Sequence, residues 1–214
     1  MAGNIASIRK NYSHKKLLEK KAAVHPVDQF AKWWKQALAA KIIEPNAMTL
    51  ATASADGIPS ARIVLLKEFS KEGFIFFTNY NSFKGQQLRD NPKACLVFFW
   101  KEVERQVRIT GLVSRTGEAY NDKYFQSRPH GSQLGAVVSP QSEVIADRDW
   151  LDTAFKKLKK ASKDKEVARP AHWGGFQVRP VIMEFWQGRP SRLHDRLQYT
   201  LLADGNWKLE RLAP

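Results

Sequence analysis

Met48-Thr49-Leu50-Ala51-Thr52-Ala53-Ser54-Ala55-Asp56-Gly57-Ile58-Pro59-Ser60-Ala61-Arg62-Ile63-Val64-Leu65-Leu66-Lys67 is the stretch that decides the fold. Two segments of strand-forming residues flank Ala55-Asp56-Gly57, which carries hairpin turn chemistry. The spacing predicts one strand over 48–54 and its return over 59–67. An antiparallel sheet follows from that pairing.

Working outward, Ser70-Lys71-Glu72-Gly73 makes the next turn and 74–79 a third strand. Ser82 is placed to cap a short helix through Arg89, which Asn91-Pro92 ends. Strands over 93–101 and 105–114 come next. Thr116 is placed to cap a helix reaching about Ser127, before Pro129. A helix near 148–160 carries Trp150, Leu151, Phe155 and Leu158, and strands at about 173–186, 192–201 and 205–211 finish the chain. On the N-terminal side Pro26 opens a helix over 27–41, with Phe30, Trp33, Trp34, Ala37 and Leu38 at helical spacing. Residues 1–25 are polar and basic and read as a mobile arm, leaving 26–214 as a single domain. The class is mainly β with inserted helices, and closing so many short strands into a barrel would remove exposed edges.

The chain has 214 residues, 43% of them hydrophobic, enough for one substantial core. Its 35 Lys and Arg against 21 Asp and Glu give +14, which suits phosphate ligands or nucleic acid. Part of that excess lies in surface runs such as Lys156, Lys157, Lys159 and Lys160. The one cysteine, Cys95, sits in an apolar strand, so no intrachain disulfide forms. With no signal core and no apolar run near ~20 residues, the expectation is a cytoplasmic protein without a membrane partner.

Four groups of residues carry candidate chemistry. Arg192, His194 and Arg196 alternate along an expected strand and would share one face, either solvated or turned to an anion. Arg62-Ile63-Val64-Leu65-Leu66-Lys67 is an aliphatic strand with a cation at each end, and those cations point to opposite faces. Phe77-Thr78-Asn79-Tyr80-Asn81-Ser82-Phe83-Lys84 is a strand end running into a helix start, where backbone N–H groups favour a phosphate; the same pattern is also an ordinary helix cap. Tyr124 and Arg128 lie four apart, with Ser132 beyond Pro129, and such donors suit a phosphate monoester or form a plain surface pair. No metal-ligand spacing, phosphate-binding glycine loop or nucleophile elbow is present. Many phosphate-like sites without an acid–base set suit an enzyme whose cofactor carries the hard chemistry.

These motifs, in this order and spacing, resemble the pyridoxine/pyridoxamine 5′-phosphate oxidase family from about Ile8 to Pro214, above all over Glu184–Arg196, Arg62–Lys67 and the Ser127-Arg128-Pro129 corner. The resemblance implies an FMN-binding split β-barrel, a homodimer with two equivalent sites. It implies FMN-dependent oxidation of pyridoxine 5′-phosphate and pyridoxamine 5′-phosphate to pyridoxal 5′-phosphate, with dioxygen reduced to hydrogen peroxide. The FMN set would be Arg62, Ile63, Val64, Leu65, Leu66, Lys67, Phe77, Thr78, Lys84 and Gln106, joined from the other subunit by Gln141, Ser142, Trp186 and Arg196. Lys67, Tyr124, Arg128 and Ser132 would take the substrate phosphate, Arg192 and His194 would face its ring as the catalytic pair, and Arg9 and Tyr12 would cover it. The family usually places a second basic residue directly before Lys84; Phe83 stands there instead, and weaker FMN binding is expected. The alternatives are a flavin reductase-like split-barrel protein, which would lack the substrate residues, and a nucleic-acid binder, for which no recognition motif is present.

Overall fold

The computed structural model describes residues 4–7, 11–12, 15–163 and 165–214. Among them run nine strands: β1 (Ala47–Ala53), β2 (Pro59–Leu65), β3 (Glu68–Ser70), β4 (Gly73–Asn79), β5 (Lys93–Trp100), β6 (Arg105–Arg115), β7 (Trp173–Gln187), β8 (Asp195–Leu201) and β9 (Trp207–Leu212). The helices are α1 (Pro26–Ala39), α2 (Phe83–Asp90), α3 (Glu118–Gln126), α4 (His130–Val138) and α5 (Arg148–Ala161). The strands hydrogen-bond in the order β2-β1-β5-β6-β7-β4-β3, with β8 on β7 and β9 on β8. No described helix is long and apolar enough to cross a membrane.

The chain forms two compact units: Met1–Leu50 with Cys95–Gly111 and Pro180–Pro214, and Ala51–Ala94 with Leu112–Arg179. In the first, His25 caps α1 by accepting from the Val27 N–H at 3.2 Å, and Pro26 occupies the first helical turn, where its missing N–H costs nothing. The helix buries Phe30, Trp33 and Ala37, and Trp33 meets Phe185 edge-to-face at 5.2 Å. Arg105 packs over the Trp33 ring at 4.4 Å while donating to Gln36 and Gln187. In the segment read from sequence as a mobile arm, Leu17 is buried and Arg211 grips both the Leu17 carbonyl and the Glu19 carboxylate. β8 pairs antiparallel with β7, setting Arg196 opposite Trp186.

In the second unit β4 lies between β3 and the first half of β7, with Phe76 opposite Phe176 and Asn79 opposite Trp173. Ser82 caps α2 by accepting from the Gly85 N–H, as its sequence position implies. Phe125, Leu134, Val167 and Trp173 form a core against which Tyr124 and Phe77 pack. Asn121 joins this core to the sheet: it is fully buried, accepts from the Gly175 N–H at 2.9 Å and donates to the Tyr80 hydroxyl at 3.3 Å.

Three expectations are corrected. Thr116 does not cap α3: its hydroxyl donates to Asn121 Oδ1 at 2.5 Å, and Gly117 holds the cap position. β2 ends at Leu65, and the chain makes the short strand β3 before the turn. His130–Val138, to which the sequence reading assigned no element, forms α4. The strand expected from 192 begins only at Asp195, because Pro190–Arg192 forms a turn of 3₁₀ helix.

Candidate functional site

A cavity of about 680 Å³ lies in the second unit, and β2, β4, α2, α3 and α4 all contribute to its walls. Its described lining contains three cations, Lys67, Lys84 and Arg128, and no carboxylate. Cations gathered without a carboxylate among them favour an anionic ligand.

At one end, Lys84 projects from the first turn of α2 and donates to Thr78 Oγ1 (3.3 Å), Ser82 Oγ (3.2 Å) and Gln141 Oε1 (3.0 Å). Burial, and then the charge of Arg62, hold the Lys84 ammonium down to about 8. Arg62 is turned to the hydroxyls of Thr52 and Ser60, each at 2.5 Å, and burial lowers its own pKa. Its neighbours Ile63, Val64 and Leu65 line the cavity, whereas Leu66 is buried and does not. Gln141 reaches Thr78 and Lys84 of its own chain, because the turn after α4 carries it back over β4; Ser142, next to it, is exposed in the left-handed region at φ 76°.

At the other end stand Lys67, Tyr124, Arg128 and Ser132. Tyr124 stacks on Phe77 with ring centres 3.8 Å apart, and its plane is within 3° of that of Trp173. Arg128 does not share a helix face with Tyr124, since α3 ends at Gln126. It reaches the cavity from the corner beyond, with its guanidinium carbon 4.4 Å from the Trp173 ring centre. Gln133 fixes that corner by donating to the carbonyls of Phe125, Gln126 and Arg128. Arg128 Nη1 is buried without a hydrogen-bond partner. A buried donor of that kind is costly, and a phosphate oxygen would satisfy it.

The first unit holds the remaining candidates. His194 Nδ1 accepts the Arg189 N–H at 3.1 Å, which places the imidazole proton on Nε2. The ring lies 4.6 Å from Trp186, and Tyr12 meets both rings edge-on at 5.6 and 5.8 Å. A Cβ at Gly188 would sit 2.7 Å from Tyr12 Cγ, so only glycine admits this packing. Burial, and then the charge of Arg192, lower the His194 pKa. The shared face of Arg192, His194 and Arg196 is not found. Ser191 and Arg192 adopt φ 57° and 60° in the turn after Pro190, which takes Arg192 off the strand. Arg196 donates to Glu184 Oε1 at 2.9 Å, while Arg108 takes Oε2 at 3.1 Å. The anion that Arg196 meets is therefore internal. Gln106 is half-buried on β6. Arg9 lies outside the described residues.

Sequence reading missed Glu184 as the partner of Arg196. It also missed Gln87, whose Oε1 accepts from Thr52 at 2.6 Å and Ser60 at 2.7 Å behind Arg62. The available signals were Ser60 and Arg62 two apart on one strand, and Gln87 one turn after Lys84 on α2.

The family described as pyridoxamine 5′-phosphate oxidase matches residues 34–161, and the pyridoxine 5′-phosphate oxidase C-terminal dimerisation region matches 173–214. A pyridoxine/pyridoxamine 5′-phosphate oxidase of Nostoc sp. is 55% identical over 214 residues, covering 100% of both chains. One from Synechocystis sp. is 53% identical over 99% of this chain and 98% of its own. Among solved structures, PhzG from Burkholderia lata in complex with tetrahydrophenazine-1-carboxylic acid superposes with a TM-score of 0.89 at 30% identity, covering 94% of this chain and 100% of that one. A pyridoxamine 5′-phosphate oxidase-related, FMN-binding protein from Nostoc punctiforme shares the fold at TM-score 0.70 and 15% identity, again over 94% and 100%.

Proposed function

The chain belongs to the pyridoxamine 5′-phosphate oxidase family, and from that premise we propose that it oxidises pyridoxine 5′-phosphate and pyridoxamine 5′-phosphate to pyridoxal 5′-phosphate with FMN as cofactor. Its mainly antiparallel sheet with inserted helices is the split barrel of that family. The observation that carries the reading is the cavity lined by Lys67, Lys84 and Arg128 without a carboxylate among its described lining. It offers two cationic ends, as a phosphorylated cofactor and a phosphorylated substrate together require.

Lys84 and Arg62 would hold the FMN phosphate, with the aliphatic run of β2, Phe77 and Thr78 lining the flavin's place. FMN held there would supply the hydride acceptor that the oxidation requires. Lys67, Tyr124, Arg128 and Ser132 take the substrate phosphate, and the unpartnered Arg128 Nη1 supports this assignment. The protein acts mainly by holding the reacting atoms in line. Arg192 and His194 face the substrate ring. Arg192 offsets developing negative charge, and neutral His194 donates from Nε2 to the substrate's oxygen or nitrogen. Tyr12 covers the ring from the N-terminal segment. Gln106 would complete the cofactor contacts, joined by Gln141, Ser142, Trp186 and Arg196 from the second copy of the chain.

The dimerisation region supports a homodimer. Within it the two FMN sites are shared between copies, dioxygen is the final electron acceptor, and the enzyme works in the cytoplasm. A visible spectrum before and after anaerobic addition of pyridoxine 5′-phosphate tests the reading. Flavin bands that bleach with substrate and return in air are expected; bands indifferent to the substrate would overturn it.

A further inference from the structure

Behind the Lys84 end of the cavity lies a chain of hydrogen bonds that can run in one direction only. Arg62 gives one N–H to the Thr52 hydroxyl and another to the Ser60 hydroxyl. Guanidinium only donates, so both oxygens are acceptors there and must spend their own protons elsewhere. Both spend them on Gln87 Oε1, at 2.6 and 2.7 Å. Reversing the amide would present N–H groups to two hydroxyls that already receive one each; one could still give its proton to the other across the 3.4 Å between Thr52 Oγ1 and Ser60 Oγ, but the second proton would be stranded. The orientation is therefore imposed by the arginine, and its cost is visible: Gln87 Nε2 is buried without a partner. Thr52 and Gln87 are only 4% and 5% exposed, so little water competes for these bonds.

We propose that Gln87 is a positioning residue for the FMN phosphate: through Thr52 and Ser60 it fixes the Arg62 guanidinium while adding no negative charge of its own. This rests on the FMN reading above. An uncharged acceptor is what the place requires. A carboxylate there would hold the same two hydroxyls equally well, but in this buried setting it would compete with the phosphate for the charge of Arg62. Gln87 also rides on α2 one turn after Lys84, so a single helix carries one phosphate ligand and the brace of the other.

The test uses the full-length apoprotein, with FMN and riboflavin dissociation constants read from flavin fluorescence quenching beside the apoprotein melting temperature. Gln87→Glu is expected to weaken FMN by about tenfold or more, as losing one charge-assisted contact does. Riboflavin, which has no phosphate, is expected to bind as it does to wild type, and the apo melting temperature is expected to hold or rise because the new carboxylate pairs with Arg62. A merely structural role would instead lower the melting temperature and weaken both flavins together, which overturns the proposal, as does unchanged FMN affinity. Should Gln87→Glu not fold, Gln87→Met decides by the same contrast, since it frees both hydroxyls and loosens Arg62 without a new charge. Wild-type protein that binds no FMN would overturn the functional reading itself.

Discussion

The guanidinium carbon of Arg128 sits 4.4 Å from the centre of the Trp173 ring, and that ring is in turn parallel to Tyr124 within 3°. The aromatic platform holds a planar cation, with one buried N–H left over for an incoming oxygen. A lysine keeps the charge but has neither the flat face nor the fork. Arg128→Lys is therefore expected to raise KM for pyridoxine 5′-phosphate by about tenfold or more. The FMN dissociation constant should stay within about twofold of wild type, because Arg128 belongs to the opposite end of the cavity from Lys84. Steady-state kinetics beside FMN titration checks the split.

Lys84 makes cofactor binding pH-dependent. Its pKa is held at about 8 against an ordinary 10.5, first by burial and then by Arg62. Between those values the unfolded chain binds more protons than the folded apoprotein, so the Lys84 contribution makes the apoprotein more stable as pH rises from about 8 toward 10.5. A phosphate beside the ammonium favours the charged form and reverses the effect. FMN affinity is expected to fall as pH climbs above about 8, with a proton taken up on binding. Titrations from neutral to alkaline pH in two buffers of different ionisation enthalpy read both quantities, and a pH-independent Kd would count against the assignment.

Phe83 occupies the first position of α2 and is 55% exposed, so an arginine there meets no steric barrier. Phe83→Arg adds a third cation beside Lys84 and Arg62. It is expected to tighten FMN by about threefold to tenfold, at the lower end of a charge-assisted contact because the site is wet. Equilibrium flavin fluorescence measures the change, and affinity no tighter than wild type would contradict it.

Gly174 tests the brace behind the aromatic platform. A Cβ at this position would lie 2.1 Å from the Tyr80 hydroxyl and 2.9 Å from Asn121 Nδ2. Both groups are committed: Tyr80 donates to the Gly175 carbonyl and Asn121 to the Tyr80 hydroxyl. Gly174→Ala is expected to cost about 1–3 kcal/mol, the usual penalty of overpacking, seen as a lower melting temperature.

The hairpin and the helices α1, α2 and α5 are legible in the sequence because turn chemistry, a capping serine and apolar periodicity each announce them locally. The Tyr124, Arg128 and Ser132 group is legible for a different reason: hydroxyl and cationic donors gathered at a helix break suggest a phosphate, whereas Lys67 joins them only through the family resemblance. What escaped is set by longer-range contacts. Arg192 reads as strand by alternation, yet it and Ser191 lie in the left-handed region, where the turn behind Pro190 is held by the Arg189 to His194 contact. Glu184 lies twelve residues before Arg196, and only the β7–β8 register brings them together. Gln87 acts on Arg62 through two hydroxyls from other strands, a link no spacing rule encodes.

His194 carries the last prediction. Its Nδ1 is occupied by the Arg189 N–H, so the working proton sits on Nε2 of a neutral ring. Burial first, and Arg192 second, hold its pKa below the ordinary 6.5. In the window between that lowered value and 6.5 the unfolded chain binds more protons, so the His194 contribution to stability is present above 6.5 and lost as pH falls through the folded pKa. Protonation would also put N–H against N–H at Nδ1 and break the bond that shapes the turn carrying Arg192. The acid limb of kcat/KM is therefore expected below pH 6.5. Nitrogen-detected NMR on the apoprotein should find the Nε2–H tautomer at neutral pH. Arg192→Gln should raise the His194 pKa only part of the way, since burial remains, whereas a return to the ordinary value would mean that charge, not burial, sets it.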